Sequence, residues 1–117
     1  ILQLSSGGKK MQEITSRQDY TDAIKSGLSV VMFSADWCPD CRFIEPVLPE
    51  IEKKYAEINF FHVDRDKMLD LCQELNIFGI PSFIVYNDGT EIDRFVSKDR
   101  KTREEIEAFI DRAKAKA

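Results

Sequence analysis

Cys38 and Cys41 stand three residues apart at the end of the apolar run Val30-Val31-Met32-Phe33. This arrangement fits a strand that turns directly into a helix. In the first helical turn, positions i and i+3 share a face. Their Cα atoms then lie about 5–6 Å apart, within the range a disulfide needs. The helix N-terminus carries roughly half a positive charge, which favours a thiolate there. One pair of sulfurs is thereby both easy to oxidise and easy to attack.

The rest of the chain is read around that pair. Gln12 to Ile14 is a short strand candidate, and Ser16-Arg17-Gln18-Asp19 resembles a capping box with aspartate in place of glutamate. It opens a helix with Tyr20, Ala23 and Ile24 on one face, closed by Gly27. Ser29 to Ala35 is nearly continuous in apolar residues, the pattern of a central strand covered on both faces. A second helix is expected from Cys38 to about Tyr55, kinked at Pro46, with Phe43, Ile44, Val47, Leu48 and Ile51 as its buried stripe. Ile58 to Asp64 reads as a strand, and Arg65 to Asn76 carries Met68, Leu69, Leu71, Cys72 and Leu75 at helical spacing. Pro81 to Tyr86 and Glu91 to Val96 flank the turn Asn87-Asp88-Gly89-Thr90, an antiparallel hairpin. Thr102-Arg103-Glu104-Glu105 is a full capping box, followed by Ile106, Phe109, Ile110 and Ala113 at i, i+3, i+4 and i+7.

Composition narrows the function. A chain of 117 residues is one domain, able to bury about two thirds of its unfolded surface. The net charge of −4 argues against a nucleic-acid footprint, which is normally basic. No apolar run approaches the ~18 residues of a membrane span. Three cysteines leave at least one thiol over after any intrachain pairing. That is unlike a disulfide-stapled secreted domain and points to a reducing compartment, the cytoplasm. Residues 1–10 lack the apolar core of a signal peptide, and Ser5-Ser6-Gly7-Gly8 reads as flexible linker. We therefore expect a natural start at Met11, with residues 1–10 a flexible segment added for expression. The alternative is a tether left after processing of a longer precursor, which would place the protein outside the cytoplasm.

The run Ala35-Asp36-Trp37-Cys38-Pro39-Asp40-Cys41 closely resembles the active-site segment of thioredoxins. Three further matches support the resemblance: Pro46, five residues after Cys41; Gly79-Ile80-Pro81-Ser82, similar to the family's cis-proline loop; and the Asn87-Asp88-Gly89 turn. The resemblance runs from about residue 12 to the C-terminus. It implies an α/β architecture, the thioredoxin fold, in which a mixed five-stranded sheet has helices on both faces. Residues 11–117 would form that single domain, and the element order read above matches it.

The resemblance also implies chemistry. Cys38 is expected to be the nucleophile and Cys41 the resolving thiol that releases the reduced client. Trp37, Pro39, Ile80, Pro81 and Val96 are expected at the client-binding surface, with Pro81 cis and its neighbouring backbone open to an extended peptide. No bound cofactor or metal is expected. Electrons would come from NADPH or a low-molecular-weight thiol through a thioredoxin-reductase-like flavoprotein. Disulfide-containing client proteins would be the partners, a monomer the working unit, and electron transport in cell redox homeostasis the role. Asp40, between the cysteines, is expected to oppose the thiolate, so that Asp40→Asn would lower the Cys38 pKa; Arg42 could steady the same sulfur. Cys72 reads as a buried small hydrophobe, and His62 is given no role.

Several positions depart from the pattern. Met32 stands six residues before Cys38, where thioredoxins usually carry a buried aspartate, and Phe60 stands where its lysine partner is usual. Cys-Pro-Asp-Cys replaces the commoner Cys-Gly-Pro-Cys, and Ser97 replaces a frequent glycine. Two other readings stay open at this stage. One is a thioredoxin-fold interaction module without redox activity, and the other an oxidase or isomerase of an oxidising compartment.

Overall fold

Leu28 to Ser34 forms the central strand, and every residue of it after Leu28 is buried. The computed structural model describes residues 11–117; the N-terminal segment discussed above lies outside the described residues. In chain order the elements are β1 (Gln12–Ile14), α1 (Arg17–Ile24), β2 (Leu28–Ser34), α2 (Pro39–Ile44), α3 (Leu48–Lys54), β3 (Asn59–Asp64), α4 (Leu69–Glu74), β4 (Ser82–Asn87), β5 (Thr90–Phe95) and α5 (Arg103–Lys116). The strands make one sheet of order β1-β3-β2-β4-β5. The β1–β3 and β3–β2 pairs are parallel, whereas β2–β4 and β4–β5 are antiparallel. The mixed five-stranded sheet expected from the sequence is therefore present.

Alternate residues of a strand face opposite sides, so β2 divides the core in two. Val30 and Met32 pack with Ile44, Leu48 and Ile51 of α2 and α3 and with Ile106, Phe109 and Ile110 of α5. Val31 and Phe33 pack on the other face with Tyr20 of α1 and Leu71 and Cys72 of α4. Each large side chain fully removed from water stabilises the fold by about 1.5–3 kcal/mol before entropy is counted. One polar tie crosses the second layer, where the hydroxyls of Tyr20 and Tyr86 lie 2.5 Å apart in a buried hydrogen bond.

Local details follow the turn and cap chemistry. Asp88 (φ 50°) and Gly89 (φ 87°) both adopt the left-handed conformation, which suits the two-residue turn between β4 and β5. Asp88 also ties this turn to the α1–β2 loop, since its carboxylate accepts the Gly27 N–H at 2.7 Å. The capping box of α5 is complete at Thr102 and Glu105. At α1 only half of the expected box forms. Ser16 Oγ accepts the Asp19 N–H, while the shorter aspartate arm reaches Thr15, whose hydroxyl it binds at 2.8 Å.

Two expectations are corrected. The second helix is not one kinked rod: a 3-10 turn over Glu45–Val47, containing Pro46, separates α2 from α3. Proline cannot donate the hydrogen bond that a continuous helix needs there. Phe43 is not part of the buried stripe, being 49% exposed. The guanidinium of Arg100 stacks on its ring at 4.4 Å instead.

Candidate active site

The end of β2 delivers the chain to Cys38, which is the N-cap of α2, with Pro39 at the start of the helix. An N-cap residue offers a side-chain acceptor to the first free N–H groups. Here the acceptor is sulfur: Cys41 N–H donates to Cys38 Sγ at 3.1 Å. Cys38 and Cys41 form a disulfide with their Cα atoms 5.2 Å apart. Cys38 is 4% exposed and Cys41 is 0% exposed, so of the two only the first meets solvent.

The opposite wall is the loop before β4. The Ile80–Pro81 peptide is cis, and the Ile80 carbonyl oxygen lies 3.9 Å from Cys38 Sγ. Ala35, Cys38 and Cys41 form a small apolar cluster against which Ile80 packs. Gly79 is held there from behind, since a Cβ on it would lie 2.4 Å from the Ser97 carbonyl oxygen. Val96, expected at the client surface, is half-buried and packs with the α1/α4 side of the core.

Apolar side chains are exposed here among charged ones. Trp37 is 60% exposed and Phe78 63% exposed, and Pro39 is exposed as well. Trp37 is not loose, because its indole N–H donates to Asp66 at 2.7 Å and Arg65 sits 5.9 Å from its ring.

The two charged candidates behave differently from expectation. Arg42 does not reach the sulfurs; its Nε donates to the Asp36 carbonyl at 2.8 Å. Asp40 is not an isolated charge, since Arg100 Nε pairs with its carboxylate at 2.9 Å. Asp66 and Arg100 are site residues that sequence reasoning missed. Both lie on loops, Arg100 sixty positions beyond Asp40, and neither carries a local motif.

Met32 is 1% exposed and pairs with His62 in the β2–β3 register. His62 is not idle: its ring bonds Ser34 Oγ at 2.5 Å and the Glu13 carboxylate at 2.8 Å. Cys72 is free and buried, and burial pushes its thiol pKa up. No cluster able to hold a metal ion occurs among the described residues. No helix among them is long and apolar enough to cross a membrane.

The Thioredoxin family model matches residues 11–112. The chain belongs to the thioredoxin family. It is 32% identical over 95 residues to mitochondrial thioredoxin-2 of Schizosaccharomyces pombe, covering 80% of this chain and 71% of that one. It is 34% identical over 98 residues to an H-type thioredoxin of Brassica oleracea, covering 80% and 77%. The solved thioredoxin of Fasciola hepatica superposes with a TM-score of 0.77 at 29% identity, covering 88% of this chain and 99% of that one. With its Cys-x-x-Cys pair, this thioredoxin is a thiol–disulfide oxidoreductase, a protein-disulfide reductase. Thioredoxins work without a bound cofactor, on disulfide-containing client proteins, and are recycled by a reductase.

Proposed function

We propose that Cys38 is the attacking thiol and Cys41 the resolving one. The observation carrying this assignment is the difference in access: Cys38 keeps 4% exposure, with its Sγ 3.9 Å from the Ile80 carbonyl oxygen, whereas Cys41 is fully enclosed. In the reduced protein, Cys38 thiolate attacks one sulfur of a client disulfide, and the other client sulfur leaves as thiolate and takes up a proton. Cys41 then loses its proton and attacks Cys38 Sγ, releasing the second client thiol. The client gains two electrons, and the protein ends as the Cys38–Cys41 disulfide described above. The Cys41 N–H aimed at Cys38 Sγ stabilises negative charge on that sulfur.

Trp37 and the half-buried Ile80 supply the apolar surface that receives an extended client segment; Pro81, expected at that surface, is itself buried beneath it. NADPH or a low-molecular-weight thiol supplies the electrons through a flavoprotein reductase, and the protein acts as a monomer. A reducing compartment, the cytoplasm, is the proposed setting. The buried unpaired Cys72 supports it, since the chain devotes no second disulfide to stability.

Mixed-disulfide trapping tests the roles. Cys41→Ser is expected to accumulate covalent client complexes through Cys38, and Cys38→Ser to form none. Equal trapping by both variants would overturn the assignment. Reduction of a model disulfide by the parent, lost in Cys38→Ser, is expected of a reductase and not of an interaction module. A reduction potential well above the glutathione pool's would favour an oxidase instead.

A further inference from the structure

We propose that Arg100 is a positioning residue for the thiol exchange: it fastens the first turn of α2 to the 97–101 loop and cancels the Asp40 carboxylate two residues from Cys38.

Asp40 lies in the first turn of α2, two residues from the Cys38 N-cap. By itself such a carboxylate disfavours a thiolate at Cys38 through like-charge repulsion. Arg100 reaches it from the 97–101 loop. Its guanidinium pairs with Asp40 at 2.9 Å and covers the Phe43 ring at 4.4 Å. These two contacts lie one turn apart on the same helix face, so one planar cation grips α2 twice. The stacking also accounts for the exposed position of Phe43.

The loop that carries Arg100 is itself fixed. Lys101 turns inward, 1% exposed, and its ammonium donates to the Ser97 carbonyl, the Ser97 hydroxyl and the Asp99 carbonyl at 3.0–3.3 Å. The Ser97 carbonyl in turn abuts Gly79, which leads into the cis Ile80–Pro81 peptide facing Cys38. The chain of contacts is closed: α2 to Arg100, to the 97–101 loop, to Gly79, to Ile80, and back to Cys38. Arg100 thus couples the helix that holds the cysteines to the loop that faces them, and removes a charge penalty built into the Cys-Pro-Asp-Cys sequence.

Four other charged side chains of this region have contacts of their own. Arg42 is bonded to the Asp36 carbonyl, and Asp66 to the Trp37 indole. Arg65 pairs with Asp66. Lys101 is held by its own loop while feeling the Asp40 carboxylate. Among the described residues only Arg100 is paired directly with the carboxylate between the cysteines.

This inference rests on the dithiol mechanism above, but its test does not need a client. In the reduced protein, Cys38 alkylation would be followed against pH for the parent, Arg100→Ala, Asp40→Asn and the double variant, with Cys41 replaced by serine throughout. In Arg100→Ala the Cys38 pKa is expected to rise by about half to one unit, leaving roughly three- to tenfold less thiolate at neutral pH. Asp40→Asn in the parent is expected to change little. In the Arg100→Ala background, Asp40→Asn is expected to restore most of the loss, and Arg100→Lys to preserve most of the parent's behaviour. High salt should shrink the Arg100→Ala shift. An unchanged profile in Arg100→Ala would overturn the proposal. So would an Arg100→Ala shift of the same size with and without Asp40, since that would mark a role in packing alone. If these profiles behave as expected but no client disulfide is reduced, the reductase reading fails while the Arg100 assignment stands.

Discussion

Gly79 and Ser97 meet backbone to backbone. A Cβ on Gly79 would lie 2.4 Å from the Ser97 carbonyl oxygen and 2.7 Å from Lys98 Cα. No flexible side chain is available to yield, so the loop facing Cys38 and the loop carrying Arg100 would have to part. Gly79→Ala is expected to cost about 1–3 kcal/mol, as overpacking does. It should also slow client reduction severalfold, because Ile80 would move from its place 3.9 Å from Cys38 Sγ. Thermal unfolding and a model-disulfide assay check this; a variant matching the parent in both would refute the tight contact.

Met32 places a thioether six residues before Cys38, where thioredoxins usually carry a buried aspartate. It is 1% exposed within the layer shared by α2, α3 and α5. Met32→Asp is expected to destabilise the fold by at least about 2 kcal/mol through lost packing and a buried carboxylate. It should also add a titration step to the pH profile of client reduction, which in the parent follows thiol ionisation. Denaturant unfolding and the two profiles decide the matter. An unchanged profile would mean that position 32 does not communicate with the cysteines.

Stability should fall in alkali. Burial pushes the pKa of Tyr20, Tyr55 and Tyr86 above the usual tyrosine range, and raises that of Cys72 as well. The folded state therefore keeps protons that the unfolded chain releases near pH 9–10. This contribution is fully present below that range and is lost as pH rises beyond it. Lys101, whose pKa is pushed down by burial, works in the opposite sense over the same range, one group against four. Denaturant midpoints are expected to hold to about pH 9 and then decline. Combining Tyr20→Phe with Tyr86→Phe should flatten the decline; an unaltered slope would rule out the buried hydroxyl pair as its source.

Cys72 should be silent in the native protein. It is 3% exposed among Leu71, Ile77 and the β2 face, and its raised pKa keeps the thiol protonated. In the oxidised protein, iodoacetamide is expected to label nothing at neutral pH until denaturant is added, and then one site. Rapid native labelling at Cys72 would contradict its burial.

Sequence alone determined whatever is encoded by neighbours along the chain. The cysteine pair at the end of an apolar strand, the Thr102–Glu105 capping box, the Asp88-Gly89 turn and the periodic stripe of α5 each involve residues within a turn or a hairpin of one another, and all are found. The family resemblance carried further, to the cis Ile80–Pro81 peptide facing Cys38. Tertiary structure decided what depends on distant segments meeting. Phe43 has the spacing of a core residue, yet it is exposed beneath Arg100. Asp40 reads as a lone acid between two cysteines, yet a residue sixty positions away pairs with it. Trp37 is fixed by Asp66, and His62 by Ser34 and Glu13. Side-chain periodicity records which face a residue shares with its neighbours in the same element. It carries no record of which loop later folds over that face, and at this site the loop over residues 97–101 brings Arg100 onto Asp40.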